Sequence, residues 1–191
     1  MHETKERLLL AGLQLMLKRG YNATGIQDLL ADTGIPKGSF YHHFESKEQF
    51  TLQALRLYSA NVHATLDEAL GSGQIPPLER VRGFFHSVER SYAKEGYLGC
   101  FFGALGQELS GTSEVFRLEI EGCLMGIVDR IAACLEEART AGDLPATTDC
   151  TQMANVLTNC WEGAALRTRL RREPEPLHDV LDFFFRSAVR T

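Results

Sequence analysis

Apolar residues recur along this chain at intervals of three and four, and no stretch alternates with period two over six residues. This pattern predicts helices throughout and no sheet. Leu8, Ala11, Leu15 and Met16 form the first stripe, with Thr4 as its cap, Lys18 and Arg19 at its carbonyl end and Gly20 as its stop. Ile26, Leu29 and Leu30 form a second, shorter stripe. Thr33-Gly34-Ile35-Pro36 breaks it, because glycine reaches positive φ and proline has no N–H to donate. Pro36 fits the first turn of a following helix, Lys37 to Phe44, about two turns long. That segment carries Lys37, Ser39, Tyr41, His42 and His43, holds no acid, and has Phe40 and Phe44 four apart as its buried side. Ser46-Lys47-Glu48-Gln49 reads as a capping box that opens a long helix through Phe50, Leu52, Leu55, Tyr58 and Val62 to Leu70. Gly71 to Pro77 is the clearest break in the chain.

Beyond the break, Pro77 opens a helix through Val81, Phe84, Phe85, Val88 and Tyr92 that closes at Gly96. A shorter, glycine-rich helix is expected from Leu98 to Leu109, and a long one from Glu114 to Ala141 capped by Thr112 or Ser113. Thr147 or Thr148 begins the next, which runs to Arg172, and Pro174-Glu175-Pro176 separates it from a last helix, Leu177 to Val189. The expected architecture is all-α with about nine helices. Residues 1–50 form a three-helix head, the helix of 46–70 connects it, and 71–191 form a helical body. A short helix, a tight glycine turn and a polar second helix make a helix-turn-helix, whose second helix enters the major groove of DNA.

Charge refines this picture. The chain of 191 residues has a formal net charge of −5. Residues 1–50 hold six basic and six acidic side chains, leaving 14 basic and 19 acidic for the rest. The acidic surplus lies outside the head, so DNA affinity must come from a few local cations and backbone amides. A hydrophobic fraction of 44% supplies a sizeable core. No run of 18 apolar residues can span a membrane, and the N-terminus lacks the apolar centre of a signal peptide, so a cytoplasmic location is expected. The five cysteines (Cys100, Cys123, Cys134, Cys150, Cys160) are odd in number and include no C-x-x-C, which reads as reduced thiols rather than a disulfide framework. Together with His63, His86 and His178 they leave a metal-responsive regulator as an alternative, although their spacing is not that of a zinc finger. A helix-turn-helix protein without a ligand is another. No metal or cofactor is expected. An enzyme is not expected either: Gly99, Gly103 and Gly106 do not form G-x-G-x-x-G, and H-E-x-x-H, G-x-S-x-G and P-loop motifs are missing.

The run TGIQDLLADTGIPKGSFYHHFESKEQF, Thr24 to Phe50, resembles the DNA-binding signature of the TetR family of bacterial repressors. The likeness lies in the opening Thr, the Gly turn, Lys-Gly before the recognition residues, Tyr-x-x-Phe closing that helix and Ser-Lys-Glu starting the next; Pro36 stands where the family usually has Ser or Thr. The resemblance implies DNA contacts from Thr24, Gly25, Lys37, Gly38, Ser39, Tyr41, His42 and Lys47. Tyr41 would take the family's phosphate-contacting position, Lys37 a phosphate or a guanine edge, and Lys47 a second phosphate. It also implies a homodimer on a two-fold operator, released by a small-molecule effector. Leu157, Trp161, Ala164, Ala165 and Leu166, continued by Leu177, Val180, Leu181, Phe184, Phe185 and Ala188, are the candidates for the dimer surface; the alternative is that they complete the protomer's own core. Phe84, Phe85, Tyr92, Tyr97, Cys100, Phe101, Phe102, Gln107, Phe116 and Trp161 are candidate effector-site residues, or else ordinary core.

Gly99-Cys100-Phe101-Phe102-Gly103-Ala104-Leu105-Gly106-Gln107-Glu108 resembles the Gly-Cys-Leu-x-Gly-x-Leu-x-x-Glu stretch of a TetR branch whose members sense electrophiles and oxidants through that cysteine. The resemblance makes Cys100 a redox or electrophile sensor. Arg169 stands near the position where that branch can carry a Lys partner; an arginine cannot give up its proton, but a nearby cation can lower a thiol pKa.

With zero net charge in the head, operator affinity should fall with salt less steeply than for strongly basic DNA readers, roughly −0.9 in the log–log slope per phosphate contacted. A binding titration over a range of salt concentrations measures that slope directly.

Overall fold

The computed structural model describes residues 2–188. Its helices are α1 (His2–Arg19), α2 (Ile26–Thr33), α3 (Lys37–His43), α4 (Lys47–Leu70), α5 (Pro77–Lys94), α6 (Phe101–Leu109), α7 (Glu114–Ala141), α8 (Cys150–Arg171) and α9 (Glu175–Ala188). No strand occurs among the described residues, and none of their helices is long and apolar enough to cross a membrane. The chain forms two compact units. One joins Met1–Asn61 with Phe101–Ile120; the other joins Val62–Cys100 with Glu121–Thr191. The division therefore does not follow the linear boundary expected at residues 70 and 71: α4 and α7 each pass from one unit into the other.

In the first unit, Leu8, Met16, Leu17, Leu29, Phe40, Phe44 and Leu55 are fully buried. The rings of Phe40, Phe44 and Phe50 form a triangle with centroids 5.2, 5.4 and 4.9 Å apart. Gly12 lets α1 approach α4, since a Cβ there would lie 2.2 Å from the Phe50 ring. The expected turn after α2 is present: Gly34 has φ 67°, and its N–H donates to the Leu30 carbonyl at 2.9 Å. The Ser46 hydroxyl accepts from Gln49 N, while the Gln49 side chain takes the N–H of Glu45 rather than that of the cap itself.

The second unit buries Val81, Phe84, Phe85, Ile131, Leu135, Ala138, Ala154, Leu157, Trp161 and Leu177. Arg80 is among its buried residues. Its guanidinium donates to the Leu70 carbonyl, an orphan acceptor at the end of α4, and pairs with Glu137.

Several helix limits differ from the expected ones. α1 begins at His2, ahead of Thr4. α6 begins at Phe101 and not at Leu98, because Tyr97 (φ 58°) and Gly99 (φ 86°) lie in the left-handed region. α8 begins at Cys150 and not at Thr147 or Thr148: the cap is Asp149, whose carboxylate accepts from Gln152 N at 2.9 Å. α9 starts at Glu175, since Pro176 is tolerated in a first turn. Its expected end at Val189 lies outside the described residues.

Phe40 has no exposed surface and packs against three rings. Phe40→Ala should destabilise the head by about 3–5 kcal/mol, measured as an earlier urea or thermal transition.

Candidate functional site

α3 is fixed from below and open above. Phe40 is buried beneath it and Phe44 directly follows it, while Lys37, Gly38, Tyr41 and His42 are exposed and Ser39 and His43 are partly so. Lys37 Nζ lies 5.8 Å from the Tyr41 ring centroid, so cation and phenol share one patch. No acid lies in α3. Desolvation and the neighbouring charges of His42 and Lys5 lower the pKa of His43, so His43 adds little positive charge at neutral pH.

Two of the residues expected at DNA have side chains already engaged. Thr24 is buried and its hydroxyl donates to the Gly20 carbonyl at 2.7 Å. Gly25, not Thr24, is the N-cap of α2, and its N–H donates to the Asp28 carboxylate at 2.8 Å. Lys47 Nζ donates to the Tyr21 carbonyl at 2.6 Å and sits 4.0 Å from the Tyr21 ring centroid. Burial lowers the Lys47 pKa, and the charges of Glu108 and Asp28 oppose that shift.

The same connector, Gly20 to Thr24, meets α6 and α7 within the first unit. The Glu108 carboxylate accepts from the backbone N–H of Tyr21 at 2.8 Å and of Asn22 at 2.9 Å. Gly20 (φ 87°) permits this: a Cβ there would stand 2.5 Å from Glu108 Oε1. The ring of Phe116 packs edge-on to Tyr21 at 6.0 Å. Glu108 closed the motif quoted around Cys100, but nothing in the spacing identified backbone amides as its partners.

The candidate effector residues fall into both units. Phe101, Phe102 and Phe116 are buried in the first, where Tyr58 meets Phe101 and Phe102 at 5.5 and 4.9 Å, and Gln107 is exposed. Phe84, Phe85, Tyr92 and Trp161 are buried in the second, where Trp161 lies 4.7 Å from Phe85 and 6.4 Å from Tyr92; Tyr97 is half-buried.

Cys100 is buried at the foot of α6. The segment before it runs along α8. Arg169 donates to the Leu98 carbonyl at 3.1 Å, and Gly99 stands against the Ala165 carbonyl. Arg169 thus holds backbone, and Glu162 lies two turns further back on α8. Burial raises the Glu162 pKa, and the neighbouring Cys100 opposes that rise. Burial also raises the thiol pKa of Cys134, to about 11, and that of Cys150. Among the described residues no three His, Cys, Asp or Glu side chains converge as a metal set.

Leu157, Trp161, Ala164, Ala165, Leu177, Leu181, Phe184 and Phe185, expected at a dimer surface, are buried within the protomer's own core. Val180 is half-buried. The apolar side chains that α8 and α9 leave exposed are Val156, Leu166, Leu170 and Phe183, the last with 72% of its surface open. A groove of about 580 Å³ runs between these helices, lined by Gln152, Met153, Val156, Cys160, Val180 and Phe183 among others. Helical periodicity marked the apolar side of each helix but not the residues at its margin.

An all-α chain that presents an acid-free, aromatic-anchored second helix after a glycine turn defines a helix-turn-helix DNA-binding protein. Residues 8–54 match the model of bacterial regulatory proteins of the tetR family, and residues 77–184 match the tetracyclin repressor-like C-terminal domain. The chain belongs to the TetR family and is a DNA-binding transcriptional regulator of the repressor type, not an enzyme. It is 36% identical to the transcriptional regulator AcuR of Cereibacter sphaeroides, over 96% of this chain and 84% of that one. A crystal structure of a TetR regulatory protein from Rhodobacter sphaeroides superposes with a TM-score of 0.91 at 36% identity, covering 95% of this chain and 96% of that one. The reduced form of Escherichia coli NemR superposes with a TM-score of 0.86 at 34% identity, covering 96% and 95%. Regulators of this family bind operator DNA as dimers and respond to small molecules.

The two lysines should separate on substitution. Lys37→Ala should weaken operator binding and reduce the salt slope by about 1 without moving the unfolding transition. Lys47→Ala should cost about 1–2 kcal/mol of stability through the lost charged hydrogen bond. Fluorescence anisotropy and thermal unfolding of both variants check the pair.

Proposed function

We propose that this regulator acts in the cytoplasm as a homodimer that reads a two-fold operator with α3 and lets go of it when Cys100 is modified or an effector binds among the aromatic residues of the body. Lys37, Ser39, Tyr41 and His42 face the DNA, and Gly38 lets the backbone approach it. The start of α2, at Thr24 and Gly25, offers amides to a phosphate. Lys47 acts from behind by fixing the Tyr21 carbonyl. The observation that carries this reading is the exposed, acid-free surface of α3 above a buried phenylalanine cluster.

A second copy of the chain is the natural occupant of the groove between α8 and α9. Val156 and Phe183 would be buried there in an isologous contact, and half-sites would be about 34–36 Å apart or a multiple of that distance. Phe84, Phe85, Tyr92, Tyr97 and Trp161 are the effector contacts we favour, because they share a unit with Cys100. α6 gives such a site a route to the head. Cys100 precedes its first residue, and Glu108, near its other end about 12 Å along the axis, holds the connector between α1 and α2. A shift of α6 would move the amides of Tyr21 and Asn22 with it, giving two states that effector and DNA populate differently. A metal-responsive mechanism has no ligand set among the described residues to favour it.

Purified protein should bind a palindrome upstream of its own or a neighbouring gene as a dimer. Oxidants and quinone-like electrophiles should release the native protein from it, and Cys100→Ser should stay bound. Gel-shift titrations with and without these compounds decide the matter: release of the Cys100→Ser protein at the same concentrations would overturn the role of the cysteine.

A further inference from the structure

Residues 1–50 carry six lysines and arginines, and three of them are engaged within the head itself. Arg7 donates to the Thr33 carbonyl at 3.5 Å, Arg19 pairs with Asp28 at 3.8 Å, and Lys47 holds the Tyr21 carbonyl. Lys5, Lys18 and Lys37 pair with no carboxylate among the described residues. Lys18 is exposed at the far end of α1, about 20 Å along the axis from Lys5. Lys37 opens α3, with its ammonium 5.8 Å from the Tyr41 ring centroid. Lys5 stands 5.8 Å from the ring centroid of Phe44, the residue that closes α3. Its charge also reaches His43, the last residue of that helix. Glu3 and Glu6 lie two and one positions from Lys5, so they point to other sides of α1. α3, about 10 Å long, thus has a lysine at each end, one its own and one supplied by α1.

The major groove is about 12 Å wide, so a helix of this length seated in it has phosphates near both its ends. The carbonyl end of a helix carries partial negative charge and repels them. α3 has no lysine or arginine of its own at that end, and of its two histidines there His43 adds little charge at neutral pH. A cation brought from another helix removes the repulsion. We propose that Lys5 is a phosphate contact of the operator complex, serving the DNA backbone at the carbonyl end of α3 as Lys37 serves it at the other; this rests on the reading of α3 as the helix that faces DNA. The alkyl stem of Lys5 lies against the Phe44 ring, which steadies the side chain while its ammonium stays available. A phosphate contact carries no sequence information, so Lys5 contributes affinity and register and leaves the choice of bases to α3. In a head with no net charge, one more correctly placed cation weighs more than it would in a strongly basic one.

Fluorescence anisotropy of the full-length protein tests this, with one duplex carrying the palindrome upstream of its gene and one unrelated duplex, each titrated between about 50 and 200 mM salt. Lys5→Met keeps the stem against Phe44 and removes the charge. It should weaken binding to both duplexes by the same factor and lower the salt slope by about 1 for each protomer bound. Its affinity deficit should then narrow by about 3.5-fold per protomer over that salt range. Lys5→Arg should keep the native slope. Lys18→Ala removes the same charge from the opposite end of α1 and should bind as the native protein does. A native slope in Lys5→Met would overturn the proposal. So would an equal loss in Lys18→Ala, which would make the effect one of overall charge, or an equal loss in Lys5→Arg, which would make it one of packing. Lys37→Ala is the reference. If it lowers the slope and Lys5→Met does not, Lys5 alone loses its role; if neither does, the reading of α3 as the DNA-facing helix fails with it.

Discussion

Tyr21 and Asn22 sit between two helices, and their backbone N–H groups have no helical carbonyl to meet. Both are taken by one carboxylate, that of Glu108, from a helix nearly ninety positions later. The Tyr21 carbonyl is taken in turn by Lys47, whose ammonium also feels the charge of Glu108. Anion, cation and peptide group therefore satisfy one another, and charge-assisted bonds of this kind are the stronger class. Gly20 keeps the space open, because any side chain there would collide with the carboxylate. The connector is thus a fitted joint, and the orientation of α2 and α3, hence the surface shown to DNA, follows from it.

The charge distribution gives this joint its importance. A head with no net positive charge has little general attraction for the phosphate backbone. Its affinity must come from a few groups in the correct positions, and those positions depend on the packing of Phe40 and on the connector. The acidic surplus of the rest of the chain disfavours loose association with arbitrary DNA. Low non-specific binding with geometry-dependent specific binding suits a regulator whose release needs only a small displacement.

Much of the head was legible in the sequence, because its signals are local. A glycine of positive φ at 34, a proline at 36, two phenylalanines four apart and a serine cap at 46 each act within one turn of the chain. The helices of the body were legible for the same reason. What could not be read were the choices made by tertiary packing. Asp149 displaced the neighbouring threonines as a cap, and left-handed Tyr97 and Gly99 removed three residues from α6. Periodicity identified the apolar sides of α8 and α9 but not which residues the protomer would keep for itself, so most of those expected at the dimer surface are interior while Leu166 and Phe183 are exposed. The family resemblance placed Lys47 at a phosphate, and no local signal showed that its ammonium would also meet a carbonyl 26 positions away.

The interleaving of the two units bears on how such proteins can be recombined. A chimera joined at the glycine-rich break after α4 would carry the recognition helix but leave behind Glu108 and Phe116, the residues against which the connector is seated. The grafted head would arrive with two amides and an aromatic ring facing a foreign surface. Exchange of operator specificity between relatives is therefore a matter of replacing the outward side chains of α3 in place, since a joint after α4 would divide the first unit from its own α6.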